Sequence, residues 1–405
     1  MKPDPEPPLA SRAHLASVGI LAISIMAPVT LPVPILRELV GERFGVSDLL
    51  TSLFMSVNMI GAAIAAPLAG ALADRIGRRR PLVIGALLAD ALCFLALTLD
   101  VPFGVFLAIR LVEGCAHIFA LSLLLSIAAS LGGSHGRGKT MGITGAGMML
   151  GVALGAPVGG ALGGVDPLRP LLAGAALLVV ASAFAAALLP DPGGGEQRPG
   201  IRAIWRLIKQ NRDVIAPLFF AFADRFTVGF YTTTFSLFAS GLHGATPPQI
   251  GLWISAFMLP FALFSFPFGM LADRVSKTAL LVGGSLIYGV LTASLGFWPT
   301  EWIGFGMGVI GISAAVMFVP SMLMTTDLTP PAIRGAALGA FNTAGSLGFI
   351  LGPITGGFVS QTIGASHGAV VGYRAAFAVA GGAEILCALL ALPFLLRLRA
   401  AGRTS

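Results

Sequence analysis

Twelve apolar runs, most of them at or above the ~20 residues a helix needs to cross the hydrocarbon core of a bilayer, constrain this chain more than any other feature. They fall at about residues 15–36, 49–73, 81–99, 102–131, 140–164, 167–190, 214–242, 248–272, 278–297, 301–328, 335–362 and 372–397. Backbone polar groups find no water in hydrocarbon, so runs of this length cross as helices with every N–H bonded inside the segment. Charged residues make up only 11% of the chain, against roughly 25% in soluble domains, too few to coat a soluble surface. The expected class is an all-α integral membrane protein with two pseudo-symmetric six-helix bundles. The first run is not read as a cleaved signal peptide, because it is too long, contains Pro28, Pro32 and Pro34, and ends without a small-residue cleavage site. Cys93, Cys115 and Cys387 all lie inside apolar runs and read as small buried hydrophobes, with no disulfide or metal cluster implied.

A net charge of +7 invites a nucleic-acid reading until the charges are placed. With twelve spans, both tails and the loops after spans 2, 4, 6, 8 and 10 share one side and hold 19 of the 25 Lys and Arg residues. The opposite loops hold Arg37, Arg43, Arg169 and Arg374 only. The positive-inside rule then puts both termini in the cytoplasm, in a bacterial inner membrane by expectation, and removes nucleic acid as a partner. The one long polar stretch, 191–213, opens as a Pro/Gly linker and closes as a short basic amphipathic segment suited to the cytoplasmic lipid surface. The organisation expected is a tail at 1–14, a bundle at 15–190, this linker, a second bundle at 214–397 and a tail at 398–405.

The two halves repeat each other. Gly70-Ala-Leu-Ala-Asp74-Arg75-Ile-Gly77-Arg78 after span 2 returns as Gly269-Met-Leu-Ala-Asp273-Arg274-Val-Ser276-Lys277 after span 8, 199 residues on. Gly151-Val-Ala-Leu-Gly155-Ala-Pro157-Val-Gly159-Gly160 in span 5 returns as Gly348-Phe-Ile-Leu-Gly352-Pro353-Ile-Thr-Gly356-Gly357 in span 11, 197 residues on. Parallel six-span halves with a site at their interface are a transporter architecture. On these residues the chain resembles the major facilitator superfamily along essentially its whole length. The run GALADRIGRRR at 70–80 carries every key position of the family's G-x-x-x-D-R-x-G-R-R/K loop. The resemblance implies a gate formed by Gly70, Asp74, Arg75, Gly77, Arg79 and Arg80, with Asp273 and Arg274 as a degraded second copy. Arg78, Arg79 and Arg80 also suit the anionic cytoplasmic leaflet. Three more elements resemble the twelve-span drug–proton antiporter branch: Pro28-Val29-Thr-Leu-Pro32, Arg110-Leu-Val-Glu113-Gly114, and the glycine ladder Gly142, Gly151, Gly155, Gly159 and Gly160. The ladder departs from the branch pattern in one respect, since its proline stands at 157 and Ala156 occupies the patterned position.

Small residues recur every fourth position at 147–163 and 340–356, so each set forms one smooth helix face. The faces that include Gly151, Gly155, Pro157 and Gly159, and Gly348, Gly352, Pro353 and Gly356, are expected where the halves meet and rock. Ionisable groups inside spans are costly and mark function by default. Arg110, Glu113 and His117 fall within a 60° arc of span 4, either as a proton or substrate site facing the cavity or as an intrahelical pair with a capped histidine. Asp224, Thr227 and Tyr231 share a face of span 7, with Asp224 expected in the cavity and Arg225 bracing a neighbour. Asp90 has packing and function equally open, as does Asn58, with Asn342, between lining a pore and bridging helices. Glu384 reads as scaffold, and Trp298, Trp302 and Tyr373 as interface anchors.

No GxxxxGK[ST] motif is present, and Ser122 and His117, five apart, point to different faces, so neither an ATP-driven pump nor an enzyme is expected. The function expected is secondary active transport by alternating access, most simply proton-coupled export of a small lipophilic or amphipathic compound. Uptake, or lipid transport by the same fold, is the alternative, and a non-transporting receptor or scaffold the alternative of another class. Partners are the substrate, protons and membrane lipids; no cofactor is called for, and a monomer suffices.

Overall fold

In a computed structural model, residues 12–76, 78–131, 133–191, 209, 211–272, 274–330 and 333–400 are described. The spans of the first half are Arg12–Thr30, Asp48–Ile76, Arg80–Ala96, Phe103–Leu131, Gly133–Gly163 and Arg169–Leu188; no strand occurs among the described residues. Those of the second half are Ile215–Thr232 with Thr234–His243, then Pro247–Ala272, Lys277–Ser294, Thr300–Asp327, Arg334–His367 and Ala369–Ala400. Among the described residues eleven segments are long and apolar enough to cross a membrane, and the 17-residue span 3 completes the twelve. The amphipathic segment expected before residue 209 lies outside the described residues.

Two expected spans are broken rather than straight. After Thr30 span 1 continues as a 3-10 turn, Val33–Ile35, and a π-helical turn, Arg37–Glu42. Pro32 and Pro34 supply the reason, because neither has an N–H to continue the ladder. Span 7 breaks at Thr233 (φ −137°, ψ −71°), 200 residues after Val33. The two breaks are tied together: Ser236 Oγ donates to the Val33 carbonyl at 2.5 Å.

The glycine stripes do their packing inside each half, which corrects their expected place between the halves. A Cβ on Gly147, Gly151, Gly155 or Gly159 would strike span 1 at Gly19, Ile23, Ala27 or Leu31. A Cβ on Gly348, Gly352 or Gly356 would strike span 7 at Phe222, Phe226 or Thr234. Spans 1 and 5, and their repeats 7 and 11, therefore touch backbone to backbone. The neighbouring faces of spans 5 and 11 make the contact between halves. Gly160 lies against Pro247 and Pro248 of span 8, Gly251 against Ala156 and Pro157, and Gly357 against Asp48, Leu49 and Ser52 of span 2.

Hydrogen bonds between the halves gather at this same end. Ser56 Oγ donates to the Ile350 carbonyl (2.8 Å), and Ser255 Oγ to the Ala153 carbonyl (2.5 Å). The donors are 199 residues apart and the acceptors 197, the two repeat offsets. Pro157 has no N–H to offer the carbonyl four residues back, which is the Ala153 carbonyl that Ser255 takes. Leu49 N–H donates to Gln361 Oε1, and Tyr373 Oη to Asp48 Oδ2 at 2.5 Å, so Tyr373 is a clasp between halves and not the interface anchor expected. Trp302 is 61% exposed. At the other end, Gly142 and Gly145 of span 5 and Gly335 of span 11 have open space where a Cβ would point. The described bonds between the halves thus hold the molecule shut toward the end of residues 33–56.

Removing both serine clasps at once should loosen the shut end. At about 1 kcal/mol per bond, Ser56→Ala with Ser255→Ala shifts the equilibrium up to about 30-fold toward opening there. Maleimide labelling of a cysteine at the buried Thr51, beside the clasps, reads this directly. Labelling no faster than in the single-cysteine parent would contradict it.

Candidate functional site

The first-half charges form one group on spans 2, 3 and 4. A Cβ on Gly114 would collide with the Asn58 carbonyl, and one on Gly61 with the Leu111 carbonyl, so spans 2 and 4 cross in direct backbone contact. That crossing brings Asn58 Nδ2 to Glu113 Oε2 in a short hydrogen bond. Arg110 Nη1 donates to the same oxygen at 2.6 Å. The rest of the guanidinium is enclosed: Nε donates to the Phe54 carbonyl (3.3 Å), Nη2 lies 3.7 Å from Met55 Sδ, and the Phe54 ring centroid is 4.2 Å away. Opposite, His117 Nδ1 stands 3.4 Å from Asp90 Oδ2. Arg110 and Asp90 are fully buried, and Glu113 and His117 nearly so.

Two expectations change here. The Arg110–Glu113–His117 face turns into the first half, toward spans 2 and 3, and not onto the space between halves. Asn58 and Asp90, for which packing and function were both open, belong to the group. Phe54 and Met55 were not foreseen, since nothing in an apolar run marks which ring a buried guanidinium will lie on.

Charge counting states what the group can do. With His117 neutral, one positive and two negative charges are sealed in an apolar bundle, one positive charge short of balance. A single proton shared by His117 and Asp90 restores it. Donor atoms of Asp90, Glu113 and His117 lie within 4.8 Å of one another, close enough to share a cation. Glu113 Oε2 is already engaged by Arg110 and Asn58, however, and a divalent ion would overshoot neutrality by one charge. The arrangement fits a proton better than a metal.

Of the second-half charges, Arg225 braces its neighbours as expected, while Asp224 is buried and not in a cavity. Asp224 is the buried member of its pair and Arg225 the partly exposed one, at 23%. Arg225 Nη1 donates to Asp224 Oδ2 at 2.9 Å, bending back along its own helix, while its guanidinium lies 4.5 Å from the Phe318 ring and 5.6 Å from Phe349. Gly345 leaves room for this stem: a Cβ there would approach Arg225 Cγ at 3.0 Å. The Asp224 face turns inward, with Thr227 donating to the Ala380 carbonyl (3.2 Å) and Tyr231 sharing a hydrogen with Thr292 (2.8 Å). The structure thus keeps Glu113 and Asp224 in separate halves. Asn342 is exposed.

Of the gating loop, Gly77 and Asp273 lie outside the described residues, and Gly70, Asp74 and Arg75 are described only as helical backbone. Arg78 is exposed, as a lipid-facing cation should be, but Arg79 is buried. Its N–H donates to Asp191 Oδ1 (2.9 Å) and its Nη1 to Ser130 Oγ (3.0 Å), tying the loop to spans 4 and 6 instead of the leaflet. Arg80 is partly buried and Arg274 exposed.

Comparison with known proteins agrees with the architecture. The Major Facilitator Superfamily profile matches residues 18–243 and 217–405. An MFS-type transporter of Methanocaldococcus jannaschii is 31% identical over 158 residues, 38% of this chain and 40% of that protein. The multi-drug resistance efflux pump PmrA of Streptococcus pneumoniae is 29% identical over 147 residues, 36% of this chain and 34% of that protein. The matches thus cover well under half the length of these relatives. Among solved structures, a bacterial homologue of the human lysosomal transporter Spinster, inward-facing and occupied, superposes with a TM-score of 0.81 at 15% identity, over 98% of this chain and 99% of that one. A mutant form of the nucleoside transporter NupG gives 0.80 at 15% identity over 93% and 98%.

Proposed function

The chain belongs to the major facilitator superfamily of secondary transporters, and from that premise we propose that it exports small lipophilic or amphipathic compounds in exchange for protons. The observation that carries this reading is the sealed group of Arg110, Glu113, Asp90 and His117, one positive charge short of balance inside the membrane-spanning bundle. An unbalanced charge at membrane depth is costly, so gain or loss of one proton biases the bundle between packings. The two halves then alternate, opening at one end as the serine and tyrosine clasps hold the other. By the basic asymmetry of the loops, the open end is cytoplasmic. A lipophilic cargo is supported by the aromatic platform of Phe318 and Phe349 beneath the partly exposed Arg225, and export by the likeness to a protein named a multi-drug efflux pump.

Proteoliposomes with an imposed pH gradient test this, using ethidium and then other lipophilic cations as probes. Wild-type protein should concentrate a probe against its gradient, while Glu113→Gln keeps downhill exchange and loses the uphill phase. Uphill transport by Glu113→Gln equal to wild type would overturn the assignment of coupling to this group. The loop at 70–80 acts in this scheme as the gate at the cytoplasmic end. Asp74→Asn should cut transport at least tenfold at unchanged expression, and Asp273→Asn much less, because Ser276 and Lys277 already depart from the pattern. Equal effects of the two substitutions would count against a special role for the first loop.

A further inference from the structure

Glu384 is a buried acid that the group around Glu113 does not include. It sits midway along span 12, fully buried, with neither carboxylate oxygen hydrogen-bonded. Buried polar atoms without partners are few in folded proteins, and each calls for an explanation. Here they gather in one place: Tyr288 Oη on span 9 and Asp224 Oδ1 on span 7 are also buried and unpaired. Spans 7 and 12 meet where Thr227 donates to the Ala380 carbonyl, about one helical turn from Asp224 and from Glu384, and the Tyr288 ring centroid lies 6.4 Å from that of Tyr231. The backbone explains the meeting, since spans 9 and 12 cross at Gly289 and Gly381, where a Cβ on either would strike the other's carbonyl. A Cβ on Gly289 would also lie 3.2 Å from Glu384 Cβ. Ser285, one turn away on span 9, lies beside Glu384, and its hydroxyl donates to Met317 Sδ at 3.1 Å.

We propose that Glu384 and Asp224, with the Tyr288 hydroxyl beside them, form a second proton-exchange site, contained in the second half and separate from the group around Glu113. Two carboxyls and one guanidinium again fall one positive charge short, and one proton passed between Asp224 and Glu384 supplies it. Arg225, partly exposed and bonded to Asp224, is the most accessible member of the site; Asp224, Tyr288 and Glu384 are buried. The Tyr231–Thr292 hydroxyl pair flanks this line. Among the described residues no other ionisable side chain faces the site: span 11 contributes none between residues 335 and 366, and the remaining neighbour on span 12 is Cys387. The site is distinct from the coupling reading above and is tested without any transport substrate.

The test is infrared difference spectroscopy of the purified protein in lipid, with the proton as the only probe. A pH step should change the carboxylic-acid C=O absorption. Glu384→Gln should remove one component of that change and lower proton uptake by one proton per chain, leaving the component lost in Glu113→Gln in place. Tyr288→Phe, which keeps both acids, should shift the pH at which the component changes. Should Glu384→Gln fail to fold, glutamate labelled with 13C in the wild type separates glutamate from aspartate bands, and Tyr288→Phe carries the comparison. A C=O absorption that no pH step alters, or one altered identically in wild type and Glu384→Gln, overturns the proposal.

Discussion

Arg110→Met should leave almost no folded protein in the membrane, while Arg110→Met combined with Glu113→Leu restores folding but not proton-driven transport. The arginine side chain is entirely buried and bonded to Glu113 at 2.6 Å. Removing one partner of such a pair strands the other charge at a cost of about 3–5 kcal/mol, whereas replacing both by apolar groups of similar volume is often neutral or better. The single variant loses a large part of a typical stability of about 5–15 kcal/mol; the double variant does not. Yield of monodisperse protein on size exclusion reads the folding, and gradient-driven probe accumulation reads the coupling. A double variant that still transports uphill would reduce the pair to scaffolding. A single variant with wild-type yield would mean that Glu113 finds compensation elsewhere.

Gly114→Val should be nearly as damaging by a different route. A side chain there meets the Asn58 carbonyl of span 2, so the crossing of spans 2 and 4 must open and the Asn58–Glu113 bond must part. Overpacking of this kind costs typically about 1–3 kcal/mol and more where the obstacle is backbone. Gly142→Ala is the matched control, since open space surrounds a Cβ at that position and the exchange gains up to about 1 kcal/mol of helix propensity. The midpoint of thermal unfolding in detergent should fall by several degrees for Gly114→Val and hold or rise for Gly142→Ala. Equal midpoints would show that spans 2 and 4 do not rely on close approach.

Much of the architecture was legible because its causes are local. Span number followed from apolar length, and the repeat from Asp74/Asp273 and Pro157/Pro353 standing at nearly one offset. Helical spacing alone also placed Arg110, Glu113 and His117 on one face. Which way that face turns was not legible, because it depends on a glycine in another helix, Gly61, meeting Leu111. The stripes at 147–163 and 340–356 were legible as close-packing faces, but spacing does not name the partner. A smooth face serves a neighbour within the half as well as one across it, and spans 1 and 7 took them. Arg225 braces its neighbours, Phe318 and Phe349, as expected, because its long stem reaches them, while the short Asp224 stays buried where its helix puts it and not in a cavity. Tyr373 and Asp48 are 325 residues apart, and no local pattern announces their bond.

The central claim is that the halves rock as bodies between a state shut at one end and a state shut at the other, and that a proton on the buried groups biases which. Distances between spin labels test it most directly, in a background with Cys93, Cys115 and Cys387 replaced. One pair, at Gly142 and Gly335, spans the end away from the clasps, where open space surrounds both positions. A second pair, at Val165 (67% exposed) and Trp302 (61% exposed), spans the shut end. As pH is changed, the account predicts that the first distance shortens as the second lengthens, in one coupled transition that Glu113→Gln displaces. Distances that stay fixed at every pH, or that shorten or lengthen together at both ends, would contradict it.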